Sequence, residues 1–309
     1  MKVLVKTAGM EREEWLRWRR MGIGGSDASI LAGVNKFRSI FQLWQDKTGQ
    51  TEPEETESEY AHFGTLMEPV VKQEFTRRTG KKVRSRKAIL QSEEHPFMLA
   101  DLDGVVYENG KLCVFEAKTA SAYKLEAWEA GIPLEYQYQI QHYMAVTGAE
   151  KTYIAALVGG NHFIYHEAFR EEEMISKLIS MEQAFWEECV LGGKEPAADG
   201  SEATTRFLNG KYPQSNGAVL ELPEEALSLC SLYDDLSSQI RRLEQRREAV
   251  TNQMKGYLKE YESGTVGDRK ISWKTVHATA FDKKRLQKEH REIYDAYCVP
   301  SCYRRLTVA

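Results

Sequence analysis

The chain has 309 residues, of which 42% are hydrophobic, and its formal net charge is −4. This length fits one large domain and a smaller one, with enough apolar residues for a sizeable core. No apolar run is long enough to span a membrane and the N-terminus lacks the apolar core of a signal peptide, so we expect a cytoplasmic protein with no membrane partner. The negative net charge means that any contact with DNA requires local basic patches, for which residues 17–20 and 77–87 are the candidates.

Hydrophobic periodicity and turn residues predict an α/β core over residues 1–195. Its predicted helices are 11–20, 26–33, 40–48, 60–78, 120–130, 135–146 and 171–189. Its predicted strands are 82–90, 97–100, 112–118, 151–158 and 162–166. The last two strands are expected to form a hairpin across Gly159 and Gly160, and residues 50–57 are expected to form an acidic loop.

The C-terminal third has a different character from the core. The turn-rich stretch 196–220 is predicted to be a linker to a separate region, 221–309. Apolar residues at helical spacing predict one long amphipathic helix over 224–260, with a coiled-coil or helical-hairpin role. Residues 264–309 carry ten Lys/Arg against five Asp/Glu, with predicted strands at 270–276 and 303–308 and a helix near 281–286. Both DNA or partner docking and a purely structural role fit this basic tail.

Three short segments of the core carry residue types suited to phosphodiester cleavage. They are Gly64-Thr65-Leu66-Met67-Glu68, Asp101-Leu102-Asp103-Gly104 and Val114-Phe115-Glu116-Ala117-Lys118. The Asn-Gly pair at 109–110 predicts a hairpin between the apolar runs 97–100 and 112–115, which would bring Asp103 close to Glu116. Residues two apart in a strand share a face, so Glu116 and Lys118 point the same way.

Carboxylate oxygens are hard ligands suited to Mg²⁺ or Mn²⁺, and a lysine can position water and offset phosphate charge. Taken singly, each segment is also usual for a solvated strand face, a turn or an exposed helix residue. The five cysteines form no Cys-x-x-Cys pair and no GxxxxGK[ST] motif occurs, so the sequence supports neither a zinc or iron–sulfur site nor ATP-driven unwinding by this polypeptide.

The order of several motifs resembles the PD-(D/E)XK nucleases, and more narrowly the YqaJ-like viral recombinase family, the group that includes phage lambda exonuclease. The resemblance covers roughly residues 10–190. The matching motifs are Trp15-x-x-x-Arg19, Gly22-Ile23-Gly24-Gly25-Ser26-Asp27-Ala28, Phe41-x-x-Trp44-x-x-Lys47-Thr48-Gly49, Gly64-x-x-x-Glu68-Pro69, Leu102-Asp103-Gly104, Glu116-Ala117-Lys118 and the glutamine-bearing stretch 138–148. The resemblance implies a restriction-endonuclease-like core, a central mixed sheet flanked by helices, followed by a helical, basic C-terminal extension.

The resemblance implies catalytic or metal-binding roles for Glu68, Asp103, Glu116, Lys118 and Gln139, and for the backbone carbonyl of Ala117. Asp103, Glu116 and the Ala117 carbonyl would bind the metal, and Glu68 would serve a second metal or its water. Lys118 would orient the attacking water, and Gln139 would help to hold that arrangement.

A second group of residues matches a pocket for the 5′-phosphate of DNA. Arg19 and Ser26 correspond to this pocket, and Ser26 is a good N-cap for the helix that follows it. Without the resemblance, Ser26 reads only as a cap and Arg19 as a solvated helix charge. Asp101 stands where lambda-type enzymes carry a serine, and an acid there would either repel a 5′-phosphate or recruit metal.

The function implied by the resemblance is that of a Mg²⁺-dependent deoxyribonuclease, in which Mn²⁺ can substitute. The enzyme would act on the ends of double-stranded DNA and digest one strand 5′ to 3′, for phage-type homologous recombination in a bacterial host cell. A single-strand annealing protein would be its partner, and a homo-oligomer, a ring trimer, is implied. A structure- or site-specific endonuclease on the same core and a non-catalytic DNA-binding scaffold stay open as alternatives.

Overall fold

The computed structural model describes residues 1–51 and 58–308, which divide into two compact units, Met1–Lys211 and Tyr212–Ala309. The strands of the first unit are β1 (Lys2–Lys6), β2 (Ala88–Gln91), β3 (Leu99–Asp101), β4 (Gly104–Glu108), β5 (Lys111–Ala120), β6 (Lys151–Val158) and β7 (His162–Phe169). Its helices are α1 (Arg12–Arg20), α2 (Gly25–Leu31), α3 (Ile40–Lys47), α4 (Glu59–Thr79), α5 (Leu125–Ala130), α6 (Leu134–Thr147), α7 (Glu172–Ala184) and α8 (Glu202–Lys211). A 3₁₀ turn at Ala122–Lys124 precedes α5, and α7 continues into a π-helical turn at Phe185–Leu191.

The strands of the first unit form two sheets. Strands β1, β2 and β3 form a wholly antiparallel sheet. Strands β4 to β7 form a mixed sheet in sequence order, in which β5 and β6 are parallel and the outer pairs are antiparallel. Asp103 lies between β3 of the first sheet and β4 of the second.

Helices cover both faces of the mixed sheet because β5 is apolar on both sides. Phe115 packs against Phe75 of α4, with ring centroids 4.9 Å apart. Val114, the next residue along the strand, belongs to the cluster that includes Ile140 and Met144 of α6. This arrangement, α4 on one face and α6 on the other, confirms the predicted fold class of a central mixed sheet flanked by helices.

The hairpin into β5 is confirmed, but its first strand is β4 and not the predicted run 97–100. Asn109 and Gly110 have φ of 50° and 78°, the left-handed backbone that a two-residue turn between twisted strands requires. The apolar run 97–100 contributes to β3, which pairs with β2 in the other sheet. The short Val105-Val106 run, which the predicted strands omit, pairs with Val114 and Cys113 instead.

Other predicted elements differ in extent. The strand predicted over 82–90 begins at Ala88, β5 continues to Ala120 where a helix was predicted, and β1 was not predicted. Helix α8 occupies part of the predicted linker 196–220, because Phe207 is apolar and stacks on Phe41 with ring centroids 5.2 Å apart. The rest of the predicted domain division stays a prediction. Most of the predicted acidic loop 50–57 lies outside the described residues.

The second unit contains α9 (Glu225–Leu258), β8 (Ser263–Val266), β9 (Arg269–Ser272), α10 (Lys283–Glu289) and α11 (Arg291–Ala296). The single long helix predicted over 224–260 is confirmed by α9. Strands β8 and β9 form an antiparallel hairpin, whereas the predicted final strand at 303–308 is wrong, since these residues pair with no strand among those described. None of the helices in residues 1–51 and 58–308 combines the length and apolarity that a bilayer-spanning helix needs.

Candidate active site

Strand β5 directs Glu116 and Lys118 to the face that α6 covers. Oε1 of Glu116 accepts hydrogen bonds from Nζ of Lys118 and from Nε2 of Gln139, each at 2.7 Å. The Gln139 amide also donates to the hydroxyl of Tyr143 at 3.1 Å. Glu116 is only 3% exposed. Two residues that the sequence analysis singled out, Lys118 and Gln139, therefore converge on one buried oxygen of a third, Glu116.

Asp103 lies beside the same strand because Gly104, the next residue, pairs with Phe115. The Ala117 N–H donates to Oδ2 of Asp103 at 2.7 Å. In an extended strand the N–H and the C=O of one residue point to the same edge, so the Ala117 carbonyl also faces the edge where Asp103 lies. The structure thus places the carboxyl groups of Asp103 and Glu116 beside the same segment of β5, as the sequence predicts.

Glu68 of α4 completes the carboxylate group from another part of the fold. Two clefts, of about 440 and 270 Å³, are both lined by Glu68, Asp103 and Glu116. Glu68 forms an ion pair with Lys72, one helical turn later. Lys118 lines the smaller cleft, whereas Gln139 lines the larger one. The carboxylates therefore lie where the two clefts meet.

Burial and neighbouring charges raise the pKa values of Asp103 and Glu116. Burial, and then the charges of Glu116 and Glu68, hold the pKa of Asp103 well above its usual value of 3.8. Burial also raises the pKa of Glu116, although Lys118 opposes this. Burial alone would lower the pKa of Lys118, but Glu116 and Asp103 outweigh it and raise that pKa. The site thus has an excess of buried negative charge around one firmly protonated lysine.

The donor set fits a hard divalent cation. Oε2 of Glu116 is buried and has no hydrogen-bond partner in the part of the chain that the structure describes, so it is free to bind a cation. Carboxylate and carbonyl oxygens are the ligands that Mg²⁺ and Mn²⁺ prefer. A cation would also relieve the repulsion that raises the carboxyl pKa values. The side chains do not already form a metal cage: among residues 1–51 and 58–308, no three His, Cys, Asp or Glu residues are grouped as one.

The predicted 5′-phosphate residues also line the larger cleft. The Arg19 guanidinium donates to Oγ of Ser26 at 2.8 Å and lies over the Trp15 ring, 4.8 Å from its centroid. The Trp15 indole donates to Oδ2 of Asp101 at 2.7 Å. Burial raises the pKa of Asp101, with Trp15 and Arg19 opposing it. Asp101 and Arg19 thus present opposite charges to one cleft.

The prediction that Ser26 is an N-cap is wrong. A cap at Ser26 would start the helix at Asp27, but the helix begins two residues earlier, at Gly25, and Gly24 is its N-cap. The Asp27 carboxylate accepts the Gly24 N–H at 2.9 Å, which satisfies the end of the helix and leaves the Ser26 hydroxyl for Arg19. Gly25 is required at this point, because a Cβ there would come within 2.5 Å of the Tyr143 ring.

Two buried charge pairs support the walls of the larger cleft. Nζ of Lys47 lies 2.7 Å from Oδ2 of Asp27. His142, on α6, lies between Oε1 of Glu182 and the carbonyl oxygen of Leu99, with both contacts at 2.8 Å. The Leu99 carbonyl can only accept, so Nε2 of His142 carries a proton. The Glu182 carboxyl group raises the pKa of His142 against the effect of burial, and burial raises the pKa of Glu182. This pair fixes α6, and with it Gln139, to β3.

Some residues of the predicted basic patches are paired with acidic residues, and others line the larger cleft. Arg77 and Arg78 are occupied by Glu74, and Lys81 pairs with Glu108. By contrast, Arg86 and Lys87 line the larger cleft together with Arg19 and Lys72.

Lys72 and Tyr143 are site residues that the sequence analysis did not identify. Lys72 follows Glu68 by four residues on a predicted helix, and this spacing is the signal that could have identified it. Tyr143, four residues after Gln139, carries the same kind of signal.

Comparison with known proteins identifies related sequences over most of the chain. The model of the YqaJ-like viral recombinase domain matches residues 14–150. The protein named "Uncharacterized protein YqaJ" of Bacillus subtilis (strain 168) is 40% identical over 311 residues, which span 99% of this chain and 97% of that protein.

Solved structures show a more distant likeness. LHK-Exo in complex with dAMP is 21% identical with a TM-score of 0.48, over 64% of this chain and 97% of that one. A second structure of this alkaline exonuclease, from Laribacter hongkongensis, is 19% identical with the same TM-score and coverage. A phage related exonuclease from Haemophilus somnus 129PT is 12% identical with a TM-score of 0.43, over 58% of this chain and 100% of that one. The family assignment depends on the near full-length relative and the matching domain model: the chain belongs to the YqaJ-like viral recombinase domain family.

Proposed function

We propose that this protein is a metal-dependent deoxyribonuclease that resects the ends of linear double-stranded DNA, 5′ to 3′. The observation that carries the proposal is the group formed by Asp103, Glu116, Lys118 and Gln139 on and around β5, with an unpartnered buried oxygen on Glu116. A scaffold that only binds DNA gains nothing from burying several mutually repelling carboxyl groups, which cost stability.

Asp103, Glu116 and the Ala117 carbonyl are the proposed metal ligands, with Glu68 available for a second ion or its water. When bound, Mg²⁺, or Mn²⁺ in its place, would lower the pKa of the attacking water and offset phosphate charge.

The residues around the ligands have separate tasks. The carboxylates of Glu116 and Asp103 raise the pKa of Lys118 against the effect of burial, and its ammonium group donates to Oε1 of Glu116. It would therefore position water by hydrogen bonding and stabilise the charge that grows on phosphate. Gln139 restrains Oε1 of Glu116, which leaves Oε2 as the oxygen available to a cation.

The larger cleft is proposed to receive the DNA end. Arg19, Arg86 and Lys87 provide positive charge along this cleft for the backbone phosphates. Arg19 and Ser26, already hydrogen-bonded to one another, are the proposed contacts of the 5′-phosphate. Asp101 reduces the positive charge near them, so the preference for a 5′-phosphate is expected to be moderate. A single-strand annealing partner and a ring-shaped homo-oligomer are proposed from family resemblance.

Digestion of linear duplexes labelled at the 5′ or the 3′ end tests the proposal. With Mg²⁺, we expect early release of the 5′ label as mononucleotide, late release of the 3′ label, and no cleavage in excess EDTA. A covalently closed circle is the control, because a structure- or site-specific endonuclease would cut it and an exonuclease would not. Binding without cleavage at any Mg²⁺ or Mn²⁺ concentration would instead identify a DNA-binding scaffold.

A further inference from the structure

Helix α9 exposes a continuous apolar stripe. Its 34 residues correspond to about 50 Å of helix. Within α9, every residue of which is described, only Leu258 is buried. Long helices in water are usually stabilised by burial of an apolar face rather than by intrinsic propensity. The stripe therefore calls for a packing partner along most of its length.

The stripe repeats every seven residues. Leu229, Leu236, Leu243, Val250 and Tyr257 follow one another at this interval and define the d positions of a heptad. The corresponding a positions are Ala226, Tyr233, Ile240, Arg247 and Met254. The large apolar side chains of both sets are between 42% and 88% exposed. A strict seven-residue repeat is the pattern of a coiled coil, not of a helix lying on a globular core.

Charge along α9 is divided between its two halves. Residues 225–240 contain three acidic and no basic residues, whereas residues 241–258 contain five basic and two acidic residues. A parallel pair of identical helices would oppose like halves and stack Arg247 on the partner's Arg247. An antiparallel pair places each acidic half against a basic half, which favours that orientation.

The antiparallel orientation also brings the a and d positions of the two helices together along their whole length. With Ile240 opposite the partner's Leu243, each of the five a positions of one helix meets a d position of the other. Arg247 then faces the partner's Leu236, within the acidic half of the partner helix. We propose that α9 is a self-association helix that pairs antiparallel with α9 of a second copy of this chain.

Solution mass of the full-length protein tests the pairing. Leu243→Asp places a charge in the two central layers, and Gln245→Asp places the same charge on the outer face of the same turn. We expect Leu243→Asp to halve the assembly mass measured by light scattering and to raise the dissociation constant about 100-fold or more, with Gln245→Asp close to wild type. Salt should also weaken the pairing, because the two halves attract by charge. A wild-type mass at tens of micromolar equal to the 35.4 kDa chain overturns the proposal. So does a mass that Leu243→Asp leaves unchanged.

Cross-linking tests the orientation and does not depend on a disruptive variant. Cys230 is exposed on α9, and Cys298 and Cys302, also exposed, are replaced by serine. In the antiparallel pair, Cys230 and Thr251 occupy e positions that lie across from each other. Cys189, which is half-buried, is replaced by serine as well, so that the buried Cys113 is the only other cysteine besides Cys230. We expect Thr251→Cys to give a chain-to-chain product with a short bis-maleimide, mapped by mass spectrometry to positions 230 and 251, and the parent without Thr251→Cys to give none.

Two other products would overturn the proposal. A product joining Cys230 to the partner's Cys230 would mean parallel pairing. Absence of any chain-to-chain product would mean that the stripe is covered by another part of the same chain or by a different protein.

Discussion

Replacing Lys47 by methionine is expected to cost a large part of the stability of the first unit. Lys47 is paired with Asp27 at 2.7 Å, and their side chains are only 3% and 5% exposed. Lys47 also donates to the carbonyl oxygen of Arg19 at 3.0 Å, so it links α3 to both α1 and α2. Methionine keeps most of the apolar stem but removes the charge. Lys47→Met therefore leaves an unpaired carboxylate in the interior.

The magnitude follows from the pKa of Asp27. Burial alone would raise this pKa, but Lys47 and Arg19 outweigh it and lower the pKa from 3.8 to about 2. Each pKa unit corresponds to about 1.4 kcal/mol, so ionisation of Asp27 contributes about 2 kcal/mol at neutral pH. Burial lowers the pKa of Lys47 and offsets part of this gain, so the value is an upper bound for the pair. Because the folded pKa lies below the unfolded one, this contribution is complete above about pH 4 and is lost as the pH falls towards about 2. With the unpaired carboxylate left behind, Lys47→Met should lower the free energy of unfolding by about 3–5 kcal/mol at pH 7.

Urea denaturation of Lys47→Met, Asp27→Asn and the double variant measures this effect. The double variant should lose less stability than the sum of the single variants, with a coupling of about 2 kcal/mol. Lys124→Met, at an exposed lysine, is the control and should change stability little. A cost below about 1 kcal/mol at pH 7, or a cost that does not shrink between pH 7 and pH 3, would refute the reasoning.

Four further predictions concern function. Asp103→Ala or Glu116→Ala should reduce cleavage at least about 100-fold while DNA binding in Ca²⁺ survives, because a metal ligand is lost. Lys118→Ala should lower kcat by about 100-fold or more with little change in KM, since its charge acts mainly in the transition state. Arg19→Ala should reduce the ratio of kcat/KM for 5′-phosphorylated over 5′-hydroxyl duplexes, because a guanidinium–phosphate contact is lost. A chain ending at Lys211 should keep metal-dependent cleavage of short duplexes but lose affinity or processivity, with a weaker salt dependence if the basic tail touches phosphates.

Matched controls separate these effects from general damage. Glu126→Ala and Lys111→Ala change an exposed glutamate and an exposed lysine outside the two clefts and should leave activity near wild type. More than a tenth of wild-type cleavage in Glu116→Ala would contradict the metal assignment. A rise in KM alone would make Lys118 a binding residue. A wild type indifferent to the 5′-phosphate would remove Arg19 from that role, and an inactive chain ending at Lys211 would show that the nuclease needs the second unit.

Local signals were enough to predict the elements that carry the site. The Asn109-Gly110 pair predicted the hairpin because the turn requires positive φ at two consecutive residues, and Asn and Gly adopt it most readily. Apolar residues at helical spacing over 224–260 predicted α9. The two-residue period placed Glu116 and Lys118 on one face of β5, and that face proved to be the one that α6 covers.

The sequence did not determine which other segment each strand or helix pairs with or packs against. The run 97–100 and the run 105–106 are both short and apolar, and only the tertiary structure decides that the second pairs with β5. The start of α2 depended on a contact from the Asp27 carboxylate to the Gly24 N–H, which competes with the more usual serine cap. Helix α8 packs on the rest of the first unit because Phe207 stacks on Phe41, a residue far away in sequence.

The position of Asp103 couples the connection between the two sheets to the geometry of the site. The chain leaves β3 at Asp101 and enters β4 at Gly104, so Asp103 lies in a two-residue bridge from one sheet to the other. The Ala117 N–H holds its carboxylate on β5, the interior strand that also carries Glu116. An insertion or deletion in this bridge would therefore change the separation of the two carboxylates as well as the connection between the sheets.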